Sequence, residues 1–338
     1  MYKPKFQLST KLLSNLTTIE RLYGQIESLN IPQTLELNLH SKNLVASAYA
    51  SNRIEGNPLT LPEVTNLLLN DRVPTSRNEK EVTNYYGILE RLDAYTKRSE
   101  DIALVTQIHR ELLDGIDTTA GTIRDVKVVV GKYREEKGDV SLRVKHDPPF
   151  HTQTEIEKHI GELMRWTETT DEPVVVKAGV FHHEFVYLHP FEDGNGRVCR
   201  ILTALLFLKN GYRINKYFIL DDYYDIDRDQ YSDMLHSADA GDKTAWLEYF
   251  SDGMKYSLQS AHARVKEALM TLRVEEQPTR REREVLHFFQ ERREATTQHI
   301  AQFLGVSRQQ AHGLLSGLVE KGLLEKRGKT KSSYYVLK

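Results

Sequence analysis

The sequence has a single cysteine, Cys199, among its 338 residues. An intramolecular disulfide is therefore excluded, and the cysteine content does not indicate an oxidising compartment. No uninterrupted apolar run approaches the roughly 20 residues that span a bilayer, and the N-terminal stretch lacks the apolar core of a secretory signal. These absences predict a cytoplasmic protein, in which Cys199 is a small buried residue of a helix.

The composition also lacks extremes. Hydrophobic residues make up 39% of the chain and charged residues 28%, which is typical of a globular protein and not of a disordered or fibrous one. The sequence shows no internal repeat and no low-complexity tract. Its length exceeds that of one ordinary core, so at least two domains are expected.

The small net charge of −2 is unevenly distributed. Residues 279–338 carry twelve Lys or Arg residues against six Asp or Glu residues, which leaves a net charge of −8 for residues 1–278. A basic tail on an acidic body indicates that the two parts have separate roles. The segment around Pro278 is the best candidate for a linker.

Most of the chain before this linker shows helical periodicity. Apolar residues recur every three or four positions from Leu12 to Leu29, which predicts an amphipathic helix capped by Ser9 or Thr10. A similar stretch from His40 ends at Gly56, a residue suited to a left-handed helix end.

One segment departs from the helical pattern. The stretch from Ile123 to Phe150 is rich in β-branched residues and predicts a β-hairpin. The expected fold class is therefore mainly α, with a β-hairpin.

The segment HPFEDGNGRVCR, residues 189–200, joins two apolar helices and suits a bound polyphosphate. A helix N-terminus presents free N–H groups to an anion, and Gly194 and Gly196 let the backbone approach it closely. Arg197 and Arg200 lie three residues apart on one helical face, so both can bind further phosphate oxygens.

Three other side chains of the segment add chemistry. Asn195 can donate to an oxygen, Asp193 offers a carboxylate to Mg²⁺, and His189 can accept a proton near neutral pH. Together they predict nucleotidyl or phosphoryl transfer. The alternative is an ordinary loop with its charges in solvent. Nearby His182 and His183 lack partners at metal-ligand spacing and are expected to be structural.

The same twelve residues resemble the signature of the Fic family, His-x-Phe-x-(Asp or Glu)-Gly-Asn-Gly-Arg-x-x-Arg, at every fixed position. The resemblance extends over roughly residues 92–256. It implies a helical Fic core with a hairpin flap that transfers AMP from ATP, with Mg²⁺, to a Tyr, Thr or Ser hydroxyl of a target protein. By position, it implies that His189 is the catalytic base and that Asp193 is the Mg²⁺ ligand.

The resemblance also implies a set of nucleotide contacts. Residues 194–196 would hold the α- and β-phosphates, Arg197 the β-phosphate and Arg200 the γ-phosphate. Glycine at position 196, where the Doc-like branch has lysine, favours nucleotidyl transfer. The implied ATP-binding residues are Glu55, Val128, Val129, Val130, Gly131, Gly194, Asn195, Gly196, Arg197, Val198, Cys199, Arg200 and Tyr231.

Two further segments resemble the family less closely. GTIRDVKVVVG resembles the flap, whose edge strand pairs with the target peptide, and places residues 128–131 near the nucleotide. DRDQYSDMLHSADAGD resembles the segment beside the adenine, with Tyr231 as the contact. Ser232 and Asp239 stand where members often carry a second Tyr and an Asn, so the base preference stays open.

The segment SNRIEG, residues 51–56, resembles the inhibitory motif (Ser or Thr)-x-x-x-Glu-(Gly or Asn) of one Fic class. The resemblance implies that Ser51 and Glu55 are inhibitory, with Glu55 pairing with Arg200 and withholding it from the γ-phosphate. An ordinary helix that ends in Glu-Gly is the alternative. A second enzymatic interpretation is that Glu55 aligns a water for removal of AMP from modified targets.

The basic tail resembles a winged helix-turn-helix. Its third helix would enter the DNA major groove, and its two-stranded wing would contact phosphates. The alternative is a module for protein interaction or dimerisation only. The helix residues concerned are Arg308, Gln309, Gln310 and His312, and those of the wing are Lys326, Arg327, Lys329 and Lys331.

The expected organisation has three parts. Residues 1–91 are an N-terminal helical region with the inhibitory motif, residues 92–275 the Fic core and residues 276–338 the winged helix-turn-helix. Expected partners are a target protein at the flap and the protein itself, through auto-AMPylation; DNA binding and a homodimer stay open, and no membrane partner is expected. The alternatives to a self-inhibited protein adenylyltransferase are a de-AMPylase and a nucleotide-sensing, DNA-binding transcriptional regulator.

Overall fold

A computed structural model describes residues 2–70, 72–136, 139–276, 278–292, 294–328 and 333–337; at residues 34, 132–136, 139–143, 272–276, 290 and 291 it describes the backbone alone. The chain divides into two compact units, Met1–Val265 and Lys266–Lys338. Within the described ranges, every helix is too short or too polar to cross a membrane.

Helices form most of the first unit, as the sequence predicts. The strands β1 (Val130–Glu136) and β2 (Asp139–His146) form the predicted antiparallel hairpin, in which Val130 lies opposite His146. A 3₁₀ turn spans Ala238–Ala240. The helices are α1 (Thr10–Glu27), α2 (Gln33–Ile54), α3 (Leu61–Leu69), α4 (Arg77–Glu90), α5 (Leu92–Tyr95), α6 (Ile102–Leu112), α7 (Gln153–Thr169), α8 (Val174–Leu188), α9 (Asn195–Lys209), α10 (Asp221–Ile226), α11 (Arg228–Ser237) and α12 (Thr244–Glu276).

The helices α8 and α9 form the centre of the core. Both are buried on nearly every side, as expected of helices surrounded by other elements. The start of α12 packs closely on α8, where the indole nitrogen of Trp246 donates to the carbonyl of Gly179 over 2.7 Å. The connection between α8 and α9 is therefore held by fixed helices on both sides.

Helix α2 brings the N-terminal region to this centre. It contacts α4, α9 and α10, and its buried face includes Ser47 and Ser51. The helix ends with Glu55 as its C-cap, and Gly56 follows with a φ of +92°, a conformation that favours glycine. The predicted stop is therefore present, and it places Glu55 against α9.

The second unit has a small core of its own. A three-stranded antiparallel sheet in the order β3-β5-β4 packs with three helices around residues such as Phe289, Ile300 and Tyr335. The sequence predicts the helices and two strands. It misses β3, because two residues are too few to show a period. The elements are α13 (Arg280–Glu291), β3 (Glu294–Ala295), α14 (Thr297–Leu304), α15 (Arg308–Glu320), β4 (Leu324–Arg327) and β5 (Tyr334–Leu337).

The packing at Gly179 gives a test of the central helix pair. A Cβ at this position would press on the side chains of Leu247 and Phe250, both buried, and overpacking of a filled core costs about 1–3 kcal/mol. We expect Gly179→Ala to lower the thermal unfolding midpoint. The matched change Gly161→Ala, in α7, meets no atom within 4 Å and should raise the midpoint, since alanine favours a helix interior by about 0.5–1 kcal/mol. Equal shifts in calorimetry would contradict this packing.

Candidate active site

A tight turn connects α8 to α9, and side-chain hydrogen bonds hold its backbone in place. His189 ends α8 with φ +48° and ψ +63°, the left-handed region that few residues other than glycine adopt. The buried guanidinium of Arg124 holds this backbone, since its Nε donates to the carbonyl of His189 over 2.6 Å and its Nη2 to that of Leu188 over 3.1 Å. A strained residue at a site fixed by its surroundings is typical of functional positions.

Two further contacts fix the loop between the helices. Phe191 is fully buried and stacks on the imidazole of His109, with ring centroids 3.7 Å apart. The amide of Asn195 donates to the carbonyl of Phe191 over 2.8 Å and accepts from its N–H over 2.9 Å. The sequence predicts that Asn195 donates to a phosphate oxygen, but the structure uses its side chain to close the loop.

His189 faces a cleft as a neutral imidazole. Burial lowers its pKa to about 4, and the guanidinium of Arg124 adds to this shift, despite a backbone hydrogen bond that opposes it. Its Nδ1 lies 3.3 Å from the carbonyl of Val186, so this nitrogen carries the proton and Nε2 keeps a lone pair. Such a ring can accept a proton from a hydroxyl group at neutral pH.

The cleft has a volume of about 570 Å³, within the range of small-molecule sites. His189, Gly196 and Arg200 form one wall. Other lining residues come from the end of α2, the start of β1 and the α10–α11 region, including Glu55, Val130, Arg228, Tyr231 and Ser232. The structure thus brings six of the sequence-predicted residues to one cleft: Glu55, Val130, His189, Gly196, Arg200 and Tyr231.

The start of α9 combines free backbone N–H groups with an under-satisfied arginine. The first N–H groups of a helix have no acceptor within it, and Gly194 enters α9 with φ +77°. Arg197 is 3% exposed, yet its Nε and Nη1 have no hydrogen-bond partner. Its nearest carboxylate oxygens, on Asp193 and Glu81, lie 3.6 Å and 3.7 Å away. Buried N–H groups without an acceptor cost about 1–3 kcal/mol each, so this region suits an anion.

Asp193 lies beside this arginine with its carboxylate accessible. The side chain is 46% exposed, and its Oδ2 is 3.5 Å from Nη2 of Arg77. Its Oδ1 accepts from the N–H of Gly194 over 2.6 Å. A half-exposed carboxylate at a helix start that favours anions could hold a hard cation between itself and a phosphate.

Arg200 is buried and surrounded by acceptors. Its Nη2 lies 2.7 Å from Oε1 of Glu55, its Nε donates to Oγ of Ser51 over 2.7 Å, and Oδ1 of Asp221 is 3.6 Å away. Burial opposes the charged form, but the surrounding negative charges, with Glu55 the largest contributor, together outweigh it and raise the pKa of Arg200. A Cβ at Gly196 would collide with Glu55, so glycine here permits the ion pair.

Several predicted nucleotide contacts lie away from the cleft. The side chains of Val198 and Cys199 are fully buried, and Sγ of Cys199 donates to the carbonyl of His182 over 3.2 Å. Val128 and Val129 precede β1, and Val129 is 42% exposed. Gly131 lies in β1 next to Val130, which alone of these hairpin residues lines the cleft.

In the segment predicted to lie beside the adenine, Tyr231 lines the cleft and Asp239 does not. Tyr231 is buried, its ring stacks on Tyr224 at 4.4 Å, and its hydroxyl lies 2.7 Å from Nε2 of His182. Asp239, which stands where an Asn is frequent, contacts three histidines and does not line the cleft. A direct role of Asp239 in base recognition is therefore not favoured.

Sequence analysis does not identify three of the residues that hold this site together. Arg124 supports the backbone of His189, His109 links the N–H of Gly121 to the carbonyl of Asp193, and Asp221 faces Arg200. Each lies outside the signature, and none belongs to a local pattern that would distinguish it from a surface residue.

In the second unit, α15 is the helix predicted to contact DNA, and most of the side chains predicted for that contact are exposed. On α15, Arg308, Gln309 and His312 are exposed, whereas Oε1 of Gln310 accepts from the N–H of Ser307 as part of the helix cap. In the wing, Lys326 is exposed and Arg327 pairs with Glu325 over 2.9 Å. The predicted contacts Lys329 and Lys331 lie outside the described residues.

Comparisons with known proteins agree with this geometry. The model of the Fic/DOC family matches residues 99–207, and that of the MarR family matches residues 277–330. The chain is similar to "Protein adenylyltransferase fic-1" of Caenorhabditis elegans, with 26% identity over 219 residues, or 62% of this chain and 40% of the relative. "Protein adenylyltransferase Fic" of Nematostella vectensis is 26% identical over 212 residues, 60% of this chain and 44% of the relative. The chain thus spans about two fifths of the length of these curated relatives.

Solved structures show the same fold. A Fic family protein from Desulfovibrio desulfuricans G20 superposes with a TM-score of 0.67 at 23% identity, covering 100% of this chain and 98% of that one. Residues 134–508 of Fic-1 from C. elegans superpose with a TM-score of 0.61 at 22% identity, covering 76% and 73% of the two chains. The resemblance inferred from the signature and from the tail is confirmed.

The histidines of the site predict a pH dependence of stability. Burial lowers the pKa of both His109 and His189 from 6.5 to about 4. Between these values the unfolded chain binds protons that the folded chain does not, so stability falls as the pH falls through this window and is fully present above about pH 6.5. We expect the urea midpoint to be lower at pH 5 than at pH 7, and to fall less in His109→Gln than in the control His312→Gln. Equal falls in both variants would contradict the assignment.

Proposed function

The chain carries a Fic domain of the Fic/DOC family at residues 99–207, and on this premise we propose that it is a protein adenylyltransferase that transfers AMP from ATP to a Tyr, Thr or Ser hydroxyl of a target protein. The observation that carries the proposal is the meeting, at one cleft, of a neutral His189 and Gly196 at the start of α9. The next residue of α9, Arg197, has buried side-chain N–H groups without a hydrogen-bond partner. The names of the curated relatives support the same reaction.

The reaction follows from the positions of these groups. Nε2 of His189 takes the proton of the target hydroxyl, whose oxygen attacks the α-phosphorus of ATP. The bond between the α-phosphorus and the bridging oxygen breaks, and pyrophosphate leaves. The N–H groups of residues 194–196 and the guanidinium of Arg197 stabilise the negative charge on the phosphate oxygens.

The residues present also fit Mg²⁺. Asp193 offers a half-exposed carboxylate next to the phosphate-binding helix start, which matches the oxygen ligands that Mg²⁺ prefers. When bound there, the ion would neutralise phosphate charge and orient the pyrophosphate.

Glu55 is proposed to inhibit the enzyme through Arg200. The carboxylate of Glu55 accepts a hydrogen bond from Nη2 of this arginine and lines the same cleft as His189. Arg200 lines the cleft beside His189 and Gly196. A γ-phosphate that binds Arg200 must therefore compete with Glu55 for its guanidinium. ATP then binds with a triphosphate conformation unfit for attack.

The remaining expectations rest on the sequence alone. They include removal of AMP by a water that Glu55 aligns, auto-AMPylation, a homodimer and the cytoplasmic location. The boundaries of the three predicted parts, 1–91, 92–275 and 276–338, also stay predictions.

The inhibitory contact can be tested by labelled AMP incorporation from ATP and Mg²⁺. We expect Glu55→Gly to increase incorporation roughly 10- to 100-fold, because a charge-assisted hydrogen bond is worth about 1.5–3 kcal/mol. The matched control Glu27→Gly, at the exposed end of α1, should leave incorporation unchanged. Adding His189→Ala to Glu55→Gly should lower it by about 10²–10⁴-fold.

Each outcome bears on a separate claim. No gain in Glu55→Gly would contradict the inhibitory role. Full activity after His189→Ala would contradict the role of this histidine as base. Mass spectrometry of the Glu55→Gly protein in a lysate would identify the modified target and the type of its hydroxyl.

We propose DNA binding by the second unit as a further function. Its match to the MarR family and the exposed Arg308, Gln309 and His312 on α15 support this proposal. The basic charge of residues 279–338 favours contact with phosphates. A regulator that senses nucleotide through the Fic domain would combine both units.

Arg308 provides the test of DNA binding. We expect Arg308→Ala to weaken the binding of the full chain to its preferred duplex by about 1–3 kcal/mol, and the wild-type affinity to fall steeply with salt. Arg280→Ala, a change of an exposed arginine at the start of α13, is the matched control and should have a smaller effect. Equal losses in fluorescence anisotropy, or no binding by the wild type, would favour a role in protein interaction.

A further inference from the structure

The carboxylate of Asp239 lies among three imidazoles outside the nucleotide cleft. Its Oδ2 is 2.8 Å from Nδ1 of His146 and 3.1 Å from Nδ1 of His236. Its Oδ1 accepts from Nε2 of His183 over 3.0 Å. Because His146 is the last residue of β2, this cluster connects the hairpin to α8 and to the end of α11. The proposed AMP transfer uses none of these four side chains.

The hydrogen bonds of His146 require a cation between its ring and Asp239. The side chain is buried, and its Nε2 lies 2.8 Å from the carbonyl of Tyr187. A carbonyl only accepts, so Nε2 carries the hydrogen, and a neutral ring then directs the lone pair of Nδ1 at Oδ2 of Asp239. Two lone pairs 2.8 Å apart repel unless a proton or a metal ion lies between them.

The second imidazole favours a metal ion over protons. His236 brings another ring nitrogen to the same carboxylate oxygen, and the three atoms all lie within 4.8 Å of one another. The rings of His146 and His236 stack, with centroids 5.2 Å apart and planes 22° apart. A single divalent ion placed between these atoms would accept lone pairs from both ring nitrogens and from the carboxylate oxygen at once.

The outer contacts are those expected around a metal site. A ligating histidine usually donates its second N–H to a carbonyl, as His146 does to Tyr187, and a ligating carboxylate is itself hydrogen-bonded. Here Nζ of Lys243 donates to Nδ1 of His183 over 2.8 Å, which leaves Nε2 of His183 to donate to Asp239. This series of hydrogen bonds fixes the orientation of the Asp239 carboxylate.

We propose that His146, His236 and Asp239 bind a divalent transition metal ion of the Zn²⁺ class, which fastens the end of the hairpin to the helical body. Two imidazole nitrogens and one carboxylate oxygen form a donor set that Zn²⁺ accepts, with a fourth position for water or another ligand. Mg²⁺ and Ca²⁺ prefer oxygen ligands alone. The site is therefore distinct in its chemistry from the proposed Mg²⁺ site at Asp193.

The position of the site links it to the cleft. His146 lies opposite Val130 in the hairpin, and Val130 lines the cleft. The rings of His146 and His189 are 6.4 Å apart. An ion bound at His146 therefore fixes the base of the hairpin next to the proposed catalytic histidine.

Metal binding to the full chain, without an affinity tag and stripped of metals by a chelator, tests the proposal. We expect calorimetry with Zn²⁺ to show one tight site per chain, and Co²⁺ at this site to give the intense visible absorption of a tetrahedral ion. His236→Ala should weaken the site at least tenfold and abolish that absorption. The matched control His312→Ala, in the second unit, and Asp193→Ala, at the proposed Mg²⁺ position, should bind Zn²⁺ like the wild type.

The side chain of His236 is 16% exposed, and circular dichroism shows whether His236→Ala folds. His236→Gln repeats the measurement with a polar side chain. Absence of tight Zn²⁺ binding by the wild type, or equal binding by His236→Ala, would overturn the site.

Hydrogen exchange of the backbone amides of residues 130–146 tests whether the ion fastens the hairpin to the helical body. Zn²⁺ should slow this exchange in the wild type and not in His236→Ala; equal exchange with and without Zn²⁺ in the wild type would contradict it. Both readouts are independent of AMP transfer.

Discussion

The pairing of the buried guanidinium of Arg200 is the interaction on which the rest of the site depends. A charge removed from water must be paired and hydrogen-bonded, and Arg200 obtains its partners from two elements: Ser51 and Glu55 from α2, and Asp221 from α10. This requirement draws the N-terminal helices onto the Fic domain. It also means that any anion that takes over Arg200 must replace Glu55 with an equal or better partner.

The turn between α8 and α9 is held by contacts with residues outside and within it. Arg124 holds the left-handed backbone of His189, and the amide of Asn195 closes the loop at Phe191. These contacts hold the proposed catalytic histidine and the start of α9 in place without a ligand, as electrostatic preorganisation requires. Glu55, in contrast, is a half-exposed helix cap with one ionic contact. The proposed inhibition therefore depends on the end of α2, and the proposed catalysis on the turn between α8 and α9.

Local patterns in the sequence predict much of this arrangement. The spacing within residues 189–200 indicates a phosphate site at a helix start, and the stop at Gly56 places Glu55 at a helix end. What the sequence does not predict depends on contacts between distant residues. Arg124 meets His189 across 65 positions and His146 meets Asp239 across 93, and no local period marks either pair. Position within the signature also does not show that the side chains of Val198 and Cys199 are buried, which follows from the helix that turns them into the core.

Competition for Arg200 between Glu55 and a γ-phosphate is tested most directly by the equilibrium binding of ATP and ADP to the wild type and to Glu55→Gln, measured by titration calorimetry with Mg²⁺ present. The amide keeps the shape of Glu55 but removes its charge. We expect the affinity for ATP to rise about tenfold or more, since a charge-assisted hydrogen bond is worth about 1.5–3 kcal/mol, while the affinity for ADP, which has no γ-phosphate, stays the same. Equal changes for ATP and ADP, or no change for either, would contradict the competition.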